Sequence, residues 1–550
     1  MSTTVIKHVI SRLHDLGIKD FFGVPGDFAF PIEDTVCENP VLRWIGNCNE
    51  LNAAYAADGY ARVHGMAALS TTFAVGELSA LNGIAGSYAE SLPVFHLVGM
   101  PSSKVIQSDV IVHHTLGDGN FTLFYEIAQK FSCAHAILTP ENCVDEMERL
   151  ISAALRYRKP VYIGLPTDYA EMQLEMRPPR KKILESHRET LSTVVDTILG
   201  KLKKAQQACL LPGIQIARYG LEKDVMKIID KFNLPFSTML MDKTALDEEH
   251  QNYIGIYNGH LLNHHVADYV ESCDCIINVC AMNSDFNTGA FTANMDRKNI
   301  IYIMPESVQI DDHLYENVIL KDVLQGLITC SHYDNKARIT ATLPQAAKLP
   351  EVAGSGKITA DYIYSRWQNM LKPDDILIAE TGTVSMGLGF ALMPKGAKFH
   401  NQTLWGAIGW ATPAAFGAAL AAPEKRTILV TGEGSHQLTA QEISQFHRFN
   451  LKPIIFVLNN DGYLIERLLC KDGDIYYNDL AQWDYSKLPD ALGCKDWFCT
   501  KVTSCEELEE AILKAESCET GAYIEVITDK YEASPLADKL HASIETLYAA

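Results

Sequence analysis

The chain has 550 residues, of which 47% are hydrophobic and 21% are charged, and its formal net charge is −21. A single hydrophobic core does not grow to this length, so we expect about three globular domains. The acidic charge argues against nucleic acid or an anionic membrane as a partner, and no stretch is apolar for long enough to span a bilayer.

The chain begins with the pattern of an amphipathic helix. Apolar residues recur at helical spacing from Val5 to Leu16, with Lys7 and Arg12 between them, and Gly17 favours a stop. A secretory signal would need an unbroken apolar centre, which this pattern lacks. We therefore expect a cytoplasmic protein whose 14 scattered cysteines are reduced thiols.

Short apolar runs alternate with longer helical patterns along the rest of the chain. This alternation predicts repeated βαβ units, with parallel strands that are covered on both faces. The predicted strands are residues 68–73, 94–98, 161–165, 275–279, 300–304, 376–379, 427–430, 454–458 and 523–527.

Two segments have the composition of linkers. Residues 175–189 contain prolines and many charges, and residues 344–356 are rich in Pro, Ala and Gly without periodicity. They divide the chain into three domains, which we predict to be doubly wound parallel-sheet domains of the α/β class. The predicted domains are residues 1–175, 190–343 and 357–550.

The first and third domains resemble each other at a constant offset of 360 residues. Residues 69–98 align with residues 429–458, and both segments end in a predicted strand. The few identities leave chance similarity between two βαβ units as an alternative. A duplicated pair would allow a cofactor to bind between two related domains.

The most specific motif is Gly432-Glu433-Gly434, followed after 24 residues by Asn459-Asn460-Asp461-Gly462. Each part follows a predicted strand, and ligands of parallel sheets bind at such carboxyl ends. Glycines let the backbone approach an anion at the start of the predicted helix 437–448. The Glu433 carboxylate, the Asn460 amide oxygen and the Gly462 carbonyl are hard ligands that suit Mg²⁺.

This motif resembles that of the thiamine-diphosphate-dependent 2-oxo acid decarboxylases, and the resemblance extends over essentially the whole chain. It implies the thiamine-diphosphate-binding fold, with thiamine diphosphate and Mg²⁺ as cofactors. The family normally has Asp where this chain has Glu433, one methylene longer, so the coordination can differ in reach.

Glu50 lies in the segment Gly46-Asn47-Cys48-Asn49-Glu50. From the residues alone, a capping box is favoured, with Asn47 as the N-cap and Glu50 three residues later. The resemblance instead implies that Glu50 binds N1′ of the aminopyrimidine ring and promotes removal of the thiazolium C2 proton.

The resemblance also assigns proton-transfer groups. It implies that His113 and His114 act near the reacting carbon, where a histidine pKa is close to the working pH. It assigns Asp27 to protonation and product release, and it places Glu466 near the substrate carboxylate. Two carboxyls in one dry cleft would raise at least one pKa. A turn at Asp27, incidental histidines and a solvated helix charge at Glu466 are the structural alternatives.

Further positions match the loops of the family's cofactor site. Ile408 matches the apolar wedge under the cofactor, and Thr381 and Gly382 match the loop beside the aminopyrimidine. The resemblance assigns the remaining cofactor contacts to Ala407, Gly432, Gly434, Ser435, Tyr463, Leu464 and Ile465.

The implied reaction is non-oxidative decarboxylation of a 2-oxo acid to an aldehyde and CO₂. Phe286, Ser385, Ile465 and Leu469 are expected to line the substrate pocket. Ser385 is small at a position where relatives can carry a large aromatic residue, which favours branched-chain, aromatic or longer substrates. Pyruvate is the alternative, because Phe286 can narrow the pocket again.

Two other functions stay open at this stage. A carboligase of the acetohydroxyacid synthase type would release a hydroxyketone instead of an aldehyde. A non-catalytic subunit with the same fold is favoured only by Glu433. The family binds its cofactor between two chains, which implies a homodimer, commonly doubled to a homotetramer.

Overall fold

A computed structural model describes residues 3–108, 110–175, 178, 185–331 and 343–542. Three large β-sheets of six, seven and six strands follow one another along the chain, each with helices on its faces. Among the described residues, no helix combines the length and the apolar character that crossing a bilayer requires. The α/β class and the three-domain organisation of the sheets are as predicted.

The N-terminal sheet is parallel throughout. Its strands, in spatial order, are Arg43–Gly46, Asp20–Gly23, Ala67–Thr72, Val94–Met100, Val161–Pro166 and Ala134–Ile137. Its helices are Val5–Asp15, Phe30–Cys37, Glu50–His64, Val75–Ala89, Ser103–Ile106, Leu123–Ala128, Cys143–Tyr157 and Thr167–Ala170. A small antiparallel ladder pairs Thr3–Thr4 with Gln173–Leu174.

The central sheet is parallel only in part. Its strands, in spatial order, are Tyr253–Ile256, Phe236–Thr238, Ala208–Pro212, Cys275–Val279, Ile300–Ile303, Ser307–Ile310 and His313–Glu316. The last two pair antiparallel, which departs from the predicted all-parallel sheet, because tight turns join these consecutive strands without a crossover helix. Its helices are Arg188–Lys204, Gln215–Arg218, Glu222–Phe232, His264–Glu271 and Leu320–Thr329.

The C-terminal sheet is parallel and repeats the strand order of the N-terminal sheet. Its strands, in spatial order, are Lys398–His400, Ile376–Ala379, Thr427–Gly432, Ile454–Asn459, Ala522–Ile527 and Phe498–Val502. Its helices are Ala360–Met370, Thr383–Leu388, Ala411–Ala421, Glu433–Thr439, Ile443–Arg448, Leu464–Leu469, Leu488–Ala491, Cys505–Ser517 and Pro535–Ala542. The shared order supports the duplication that the 360-residue offset suggested.

One apolar core joins the N-terminal and C-terminal domains. The helices Glu50–His64 and Ala411–Ala421 pack against each other, and their alanines belong to one buried cluster with residues of both sheets. Burial of apolar surface is the main stabilising term in folding, so the two domains are held together as firmly as a single core. The helix that begins at Glu50 is therefore fixed by both domains.

Local predictions agree closely with the structure. The helix Val5–Asp15 buries Val5, Ile6 and Val9 and is capped by the Thr4 hydroxyl. Residues 344–356 form neither helix nor strand, whereas most of the linker predicted at 175–189 lies outside the described residues.

Candidate active site

The carboxyl end of the strand Thr427–Gly432 carries the acidic residue of the metal motif. The chain turns directly into the helix Glu433–Thr439, which begins four residues earlier than predicted. Glu433 is 3% exposed, and its Oε1 accepts hydrogen bonds from the backbone amides of Asn460 at 3.1 Å and Gly462 at 2.8 Å. Burial raises the pKa of Glu433 to about 7, although these amides favour the charged form.

The Asn460 amide lies between the other two groups of the motif. Its Nδ2 donates hydrogen bonds to the Gly462 carbonyl oxygen at 2.8 Å and to Glu433 Oε1 at 3.2 Å. The Glu433 carboxylate, the Asn460 amide and the Gly462 carbonyl therefore meet at one point. With the amide rotated by 180°, the three groups would offer three hard oxygens, and that donor set fits Mg²⁺.

The neighbouring backbone leaves space for a phosphate group. A Cβ on Gly432 would meet no atom within 4 Å, whereas one on Gly434 would lie 2.5 Å from Cε1 of Tyr463. Gly432 thus faces open space at the strand end, and Gly434 is required by the packing of the Tyr463 ring. Ser435 follows on the same short helix and is buried. These residues fit the diphosphate end of thiamine diphosphate.

A second strand end supplies the loop expected beside the aminopyrimidine. Thr381 follows the strand Ile376–Ala379, and its buried hydroxyl oxygen has no hydrogen-bond partner among the described residues. Gly382 adopts φ +112°, and a Cβ there would lie 3.8 Å from Cγ2 of Ile465. The structure therefore brings Thr381, Gly382 and Ile465 together around an unsatisfied polar atom, which suits a polar ligand.

Glu380 organises this loop and was missed by the sequence analysis. It is fully buried, and its carboxylate accepts hydrogen bonds from the Thr381 amide at 3.0 Å and the Ala411 amide at 3.3 Å. Burial raises the pKa of Glu380 to about 7. Its position directly before Thr381 and Gly382 was the only available signal, and a single glutamate in sequence is more often a surface charge.

The predicted apolar wedge is on the surface of the single chain. Ile408 is 38% exposed in the loop that connects the strand Lys398–His400 to the helix Ala411–Ala421. The loop is held by a 3.0 Å hydrogen bond from the Ala407 amide to Gln402 Oε1. A Cβ on the adjacent Gly406 would lie 4.0 Å from Thr381, so the wedge and the aminopyrimidine loop are neighbours.

The helix Leu464–Leu469 places the remaining residues of the motif. Tyr463 precedes this helix and is held by a 3.0 Å bond from its amide to Asn478. Leu464 is buried in an apolar cluster, whereas the Glu466 side chain is exposed on the opposite side. Glu466 is therefore free to face a substrate but does not lie in a dry cleft within one chain.

Glu50 does not take part in a capping box. Asn49, in an extended conformation at φ −160°, is the N-cap, and its side chain accepts from the Asn52 amide at 2.8 Å. Glu50 is the first helical residue, and the capping box predicted with Asn47 is wrong, because Asn47 is engaged by Glu442 of the C-terminal domain at 2.7 Å. Position N1 leaves the Glu50 carboxylate available for a ligand.

Asp27, His113 and His114 form one cluster in the N-terminal domain. His113 Nε2 is 2.8 Å from Asp27 Oδ2, and His114 Nε2 is 3.8 Å from Asp27 Oδ1. His113 stacks on the ring of Phe28 at 4.9 Å between centroids. An imidazole hydrogen-bonded to a carboxylate is oriented for proton transfer. The ligand atoms also lie within 4.8 Å of one another, so the cluster could hold a metal ion.

The predicted substrate residues only partly converge. Phe286, Ile465 and Leu469 pack on one apolar cluster, together with Met386 and the helix Pro535–Ala542. Ser385 is buried and its hydroxyl donates to the Gly382 carbonyl at 3.1 Å, so it is turned towards its own helix start. Met386, the next residue, occupies the cluster instead and was missed, because methionine at helical spacing is usually core.

The comparisons with known proteins agree with this geometry. The chain matches the families described as "Thiamine pyrophosphate enzyme, N-terminal TPP binding domain" over residues 3–119, "central domain" over residues 195–327 and "C-terminal TPP binding domain" over residues 380–526. Thiamine pyrophosphate is another name for thiamine diphosphate.

Relatives of similar length were also found. Pyruvate decarboxylase isozyme 1 of Saccharomyces cerevisiae is 38% identical over 520 residues, which cover 92% of each chain. Pyruvate decarboxylase of Candida glabrata is 38% identical over 519 residues, again covering 92% of each chain. That of Kluyveromyces marxianus is 37% identical over 514 residues, covering 92% of this chain and 91% of the relative. The chain therefore belongs to the thiamine-diphosphate-dependent 2-oxo acid decarboxylases, which are carboxy-lyases that use thiamine diphosphate with Mg²⁺.

Proposed function

We propose that this enzyme decarboxylates pyruvate to acetaldehyde and CO₂. The expected preference for branched-chain or aromatic 2-oxo acids has no support among the reported relatives, whose names all specify pyruvate. The observation that carries the proposal is the apolar cluster in which Phe286 and Met386 pack with Ile465 and Leu469. We propose that these large side chains narrow the substrate pocket and thereby favour a methyl side chain on the substrate.

The residues have separate proposed tasks around the bound cofactor and substrate. When bound, thiamine diphosphate supplies the nucleophilic carbon and the electron sink of the reaction. Glu433, Asn460 and Gly462 would hold Mg²⁺, while Glu50 would exchange a proton with ring nitrogen N1′. Ile408 would support the cofactor from below.

Proton delivery to the product is the proposed task of the second group. The Asp27–His113 pair can pass a proton to the reacting carbon, and His114 lies close enough to assist. Glu466 would face the substrate carboxylate from the other side. An apolar surrounding favours loss of that charged carboxylate as CO₂.

The site requires a second chain in this proposal. Asp27, Ile408 and Glu466 are all exposed in the single chain. Among the described residues, no hydrogen bond joins the Asp27–His113–His114 cluster to the metal motif. We propose a homodimer, or a homotetramer built from it, in which the N-terminal domain of one chain faces the C-terminal domain of another. We place this assembly in the cytoplasm.

The test is a comparison of kcat/KM for pyruvate, 2-oxoisovalerate and phenylpyruvate, with aldehyde and hydroxyketone products measured separately. We expect aldehyde as the main product and pyruvate preferred by about tenfold or more. Phe286→Ala should reduce that preference by about tenfold, because it removes one of the two phenylalanine rings of the cluster. Phe291→Ala, which changes an exposed ring five residues away, is the matched control. A clear preference of the unchanged enzyme for phenylpyruvate would overturn the proposal.

A further inference from the structure

Glu442 is a buried carboxylate at the contact between the first and third domains. It ends the short 3₁₀ turn Ala440–Glu442 and has no solvent exposure. Its Oε1 accepts a hydrogen bond from Asn47 Nδ2 at 2.7 Å, and its Oε2 accepts from Asn52 Nδ2 at 2.8 Å. The backbone amide of Cys48 also donates to Oε2, at 3.3 Å.

These donors lie on both sides of Glu50. Asn47 and Cys48 precede it, and Asn52 belongs to the first turn of the helix that Glu50 begins. A single side chain of the C-terminal domain therefore fixes the segment that carries the proposed N1′ ligand at two points. Among the described residues, no hydrogen bond or ion pair joins Glu50 to Glu442, so the effect is on the position of the backbone.

The opposite side of Glu50 is bounded by a second fixed element. A Cβ on Gly76 would lie 3.5 Å from Glu50 Oε1. Gly76 belongs to the first turn of the helix Val75–Ala89, which the buried Glu77 holds through a 2.8 Å bond from the Ala74 amide. The Glu50 carboxylate thus lies beside this helix start, and a small shift of its own backbone would change its reach towards a ligand.

Burial of the Glu442 carboxylate costs free energy, and its hydrogen-bond donors offset that cost. Burial raises the pKa of Glu442, and the bonds from Asn47 and Asn52 oppose that shift. A glutamine would offer one acceptor oxygen and would turn an NH₂ group towards groups that are themselves donors. The surroundings of Glu442 therefore require two acceptor oxygens, and a glutamine of nearly the same shape does not meet that requirement.

We propose that Glu442 is a positioning residue that holds Glu50 at the distance required by the aminopyrimidine ring of thiamine diphosphate. The inference rests on the proposed function of Glu50. It predicts that changing Glu442 weakens binding of the aminopyrimidine ring, which Glu50 contacts. Binding of the diphosphate group, which the metal motif holds, should not change.

The experiment compares binding of two probes, each with Mg²⁺, to the full-length protein without cofactor. Thiamine diphosphate engages both groups of residues, whereas inorganic diphosphate engages only the metal motif. We expect Glu442→Gln to weaken thiamine diphosphate binding by about tenfold or more, as for other supporting hydrogen bonds, and to leave diphosphate binding within about twofold. Titration calorimetry measures both.

Ser444→Ala is the matched control, because Ser444 lies two residues away, and its hydroxyl donates to the Gln441 carbonyl at 2.8 Å and reaches the segment before Glu50 through the Cys48 thiol, at 3.7 Å. It should change neither affinity. Asn52→Ala removes the partner from the other domain and should reproduce the effect of Glu442→Gln. Should Glu442→Gln fail to fold, as judged by circular dichroism, Asn52→Ala carries the test alone.

Equal weakening of both probes, or no weakening of either, would overturn the positioning role of Glu442. Failure of the unchanged protein to bind thiamine diphosphate would instead contradict the proposed function. The two failures are therefore distinguishable in one set of titrations.

Discussion

Gly59 lies directly against the backbone of Ala414, so that a Cβ built on Gly59 would overlap the Ala414 carbonyl oxygen. The contact is reciprocal, because a Cβ on Gly417 would overlap the carbonyl oxygen of Ala56. On each helix, the glycine lies three residues after the alanine that the other helix contacts. The two glycines thus let the backbones of the helices Glu50–His64 and Ala411–Ala421 come into contact. The helix that begins at Glu50 is anchored to the C-terminal domain by this contact.

Gly59→Ala should destabilise the protein strongly. The added methyl group meets backbone and cannot be accommodated by rotating a side chain, so we expect a cost of about 3 kcal/mol or more, the upper end for overpacked cores. The decrease in urea midpoint measures it. Gly200→Ala, in the helix Arg188–Lys204 with no atom within 4 Å, should be neutral or slightly stabilising. Similar midpoints for both variants would contradict the helix contact.

Binding of Mg²⁺ should depend on pH through Glu433. Its pKa is about 7 in the folded protein, against 4.5 for an ordinary glutamate, so below about pH 7 the metal must displace a proton. We expect Mg²⁺ affinity in the presence of thiamine diphosphate to fall by up to about tenfold per pH unit below that value. Calorimetry in buffers of different ionisation enthalpy detects the released proton.

The free energy of unfolding of the metal-free protein should fall as pH rises, whereas Mg²⁺ affinity should rise. Because the folded pKa of Glu433 is raised, its stabilising contribution is complete below the unfolded pKa of 4.5 and is lost as pH rises through about 7. Glu433→Gln should remove both dependences and weaken Mg²⁺ binding, whereas Glu433→Asp keeps a carboxylate. Retention of the full pH dependence by Glu433→Gln would assign it to another group.

The nine strands were predictable because strands buried on both faces consist of consecutive apolar residues. All nine predicted runs coincide with strands to within two residues at each end, including Cys275–Val279 and Ile376–Ala379 without any difference. Several missed strands lie at sheet edges, such as Lys398–His400 and Phe498–Val502, whereas the missed strand Ala208–Pro212 is a buried inner strand of the central sheet. An edge strand faces water on one side and carries polar residues like Lys501, so its sequence resembles a loop.

The site was predictable where a motif fixes spacing and not where only the tertiary structure buries a residue. Glu433 and Asn460 were found from the spacing of two strand ends. Glu380 and Glu442 were missed, because burial of an isolated glutamate depends on partners distant in sequence, 31 residues away at Ala411 for Glu380 and 395 residues away at Asn47 for Glu442. For the same reason the sequence could not choose Asn49 over Asn47 as the N-cap, since Glu442 occupies Asn47.

The pair Asp27–His113 should affect catalysis more than cofactor binding. Removing the imidazole by His113→Gln, or the carboxylate by Asp27→Asn, should lower kcat by about 10²-fold or more, the range for general acid–base groups. The affinity for thiamine diphosphate should stay within about twofold, because neither residue belongs to the cofactor loops. Steady-state kinetics and calorimetry together check this. A variant that loses cofactor affinity and keeps kcat at saturation would remove the proton-transfer role.

The variant Ile408→Ala distinguishes a role of this side chain in stability from a role in catalysis. Its side chain is 38% exposed, so Ile408→Ala should change the urea midpoint of the cofactor-free protein very little. If Ile408 supports the bent cofactor, the same variant should lower kcat by about tenfold or more, because misplacement of reacting groups is costly. Leu513→Ala, at a 64% exposed position of the helix Cys505–Ser517, controls for loss of an exposed apolar side chain and should keep full activity. An unchanged kcat of Ile408→Ala would mean that the side chain serves only contacts between chains. In that case the sedimentation coefficient of the variant should differ from that of the unchanged protein.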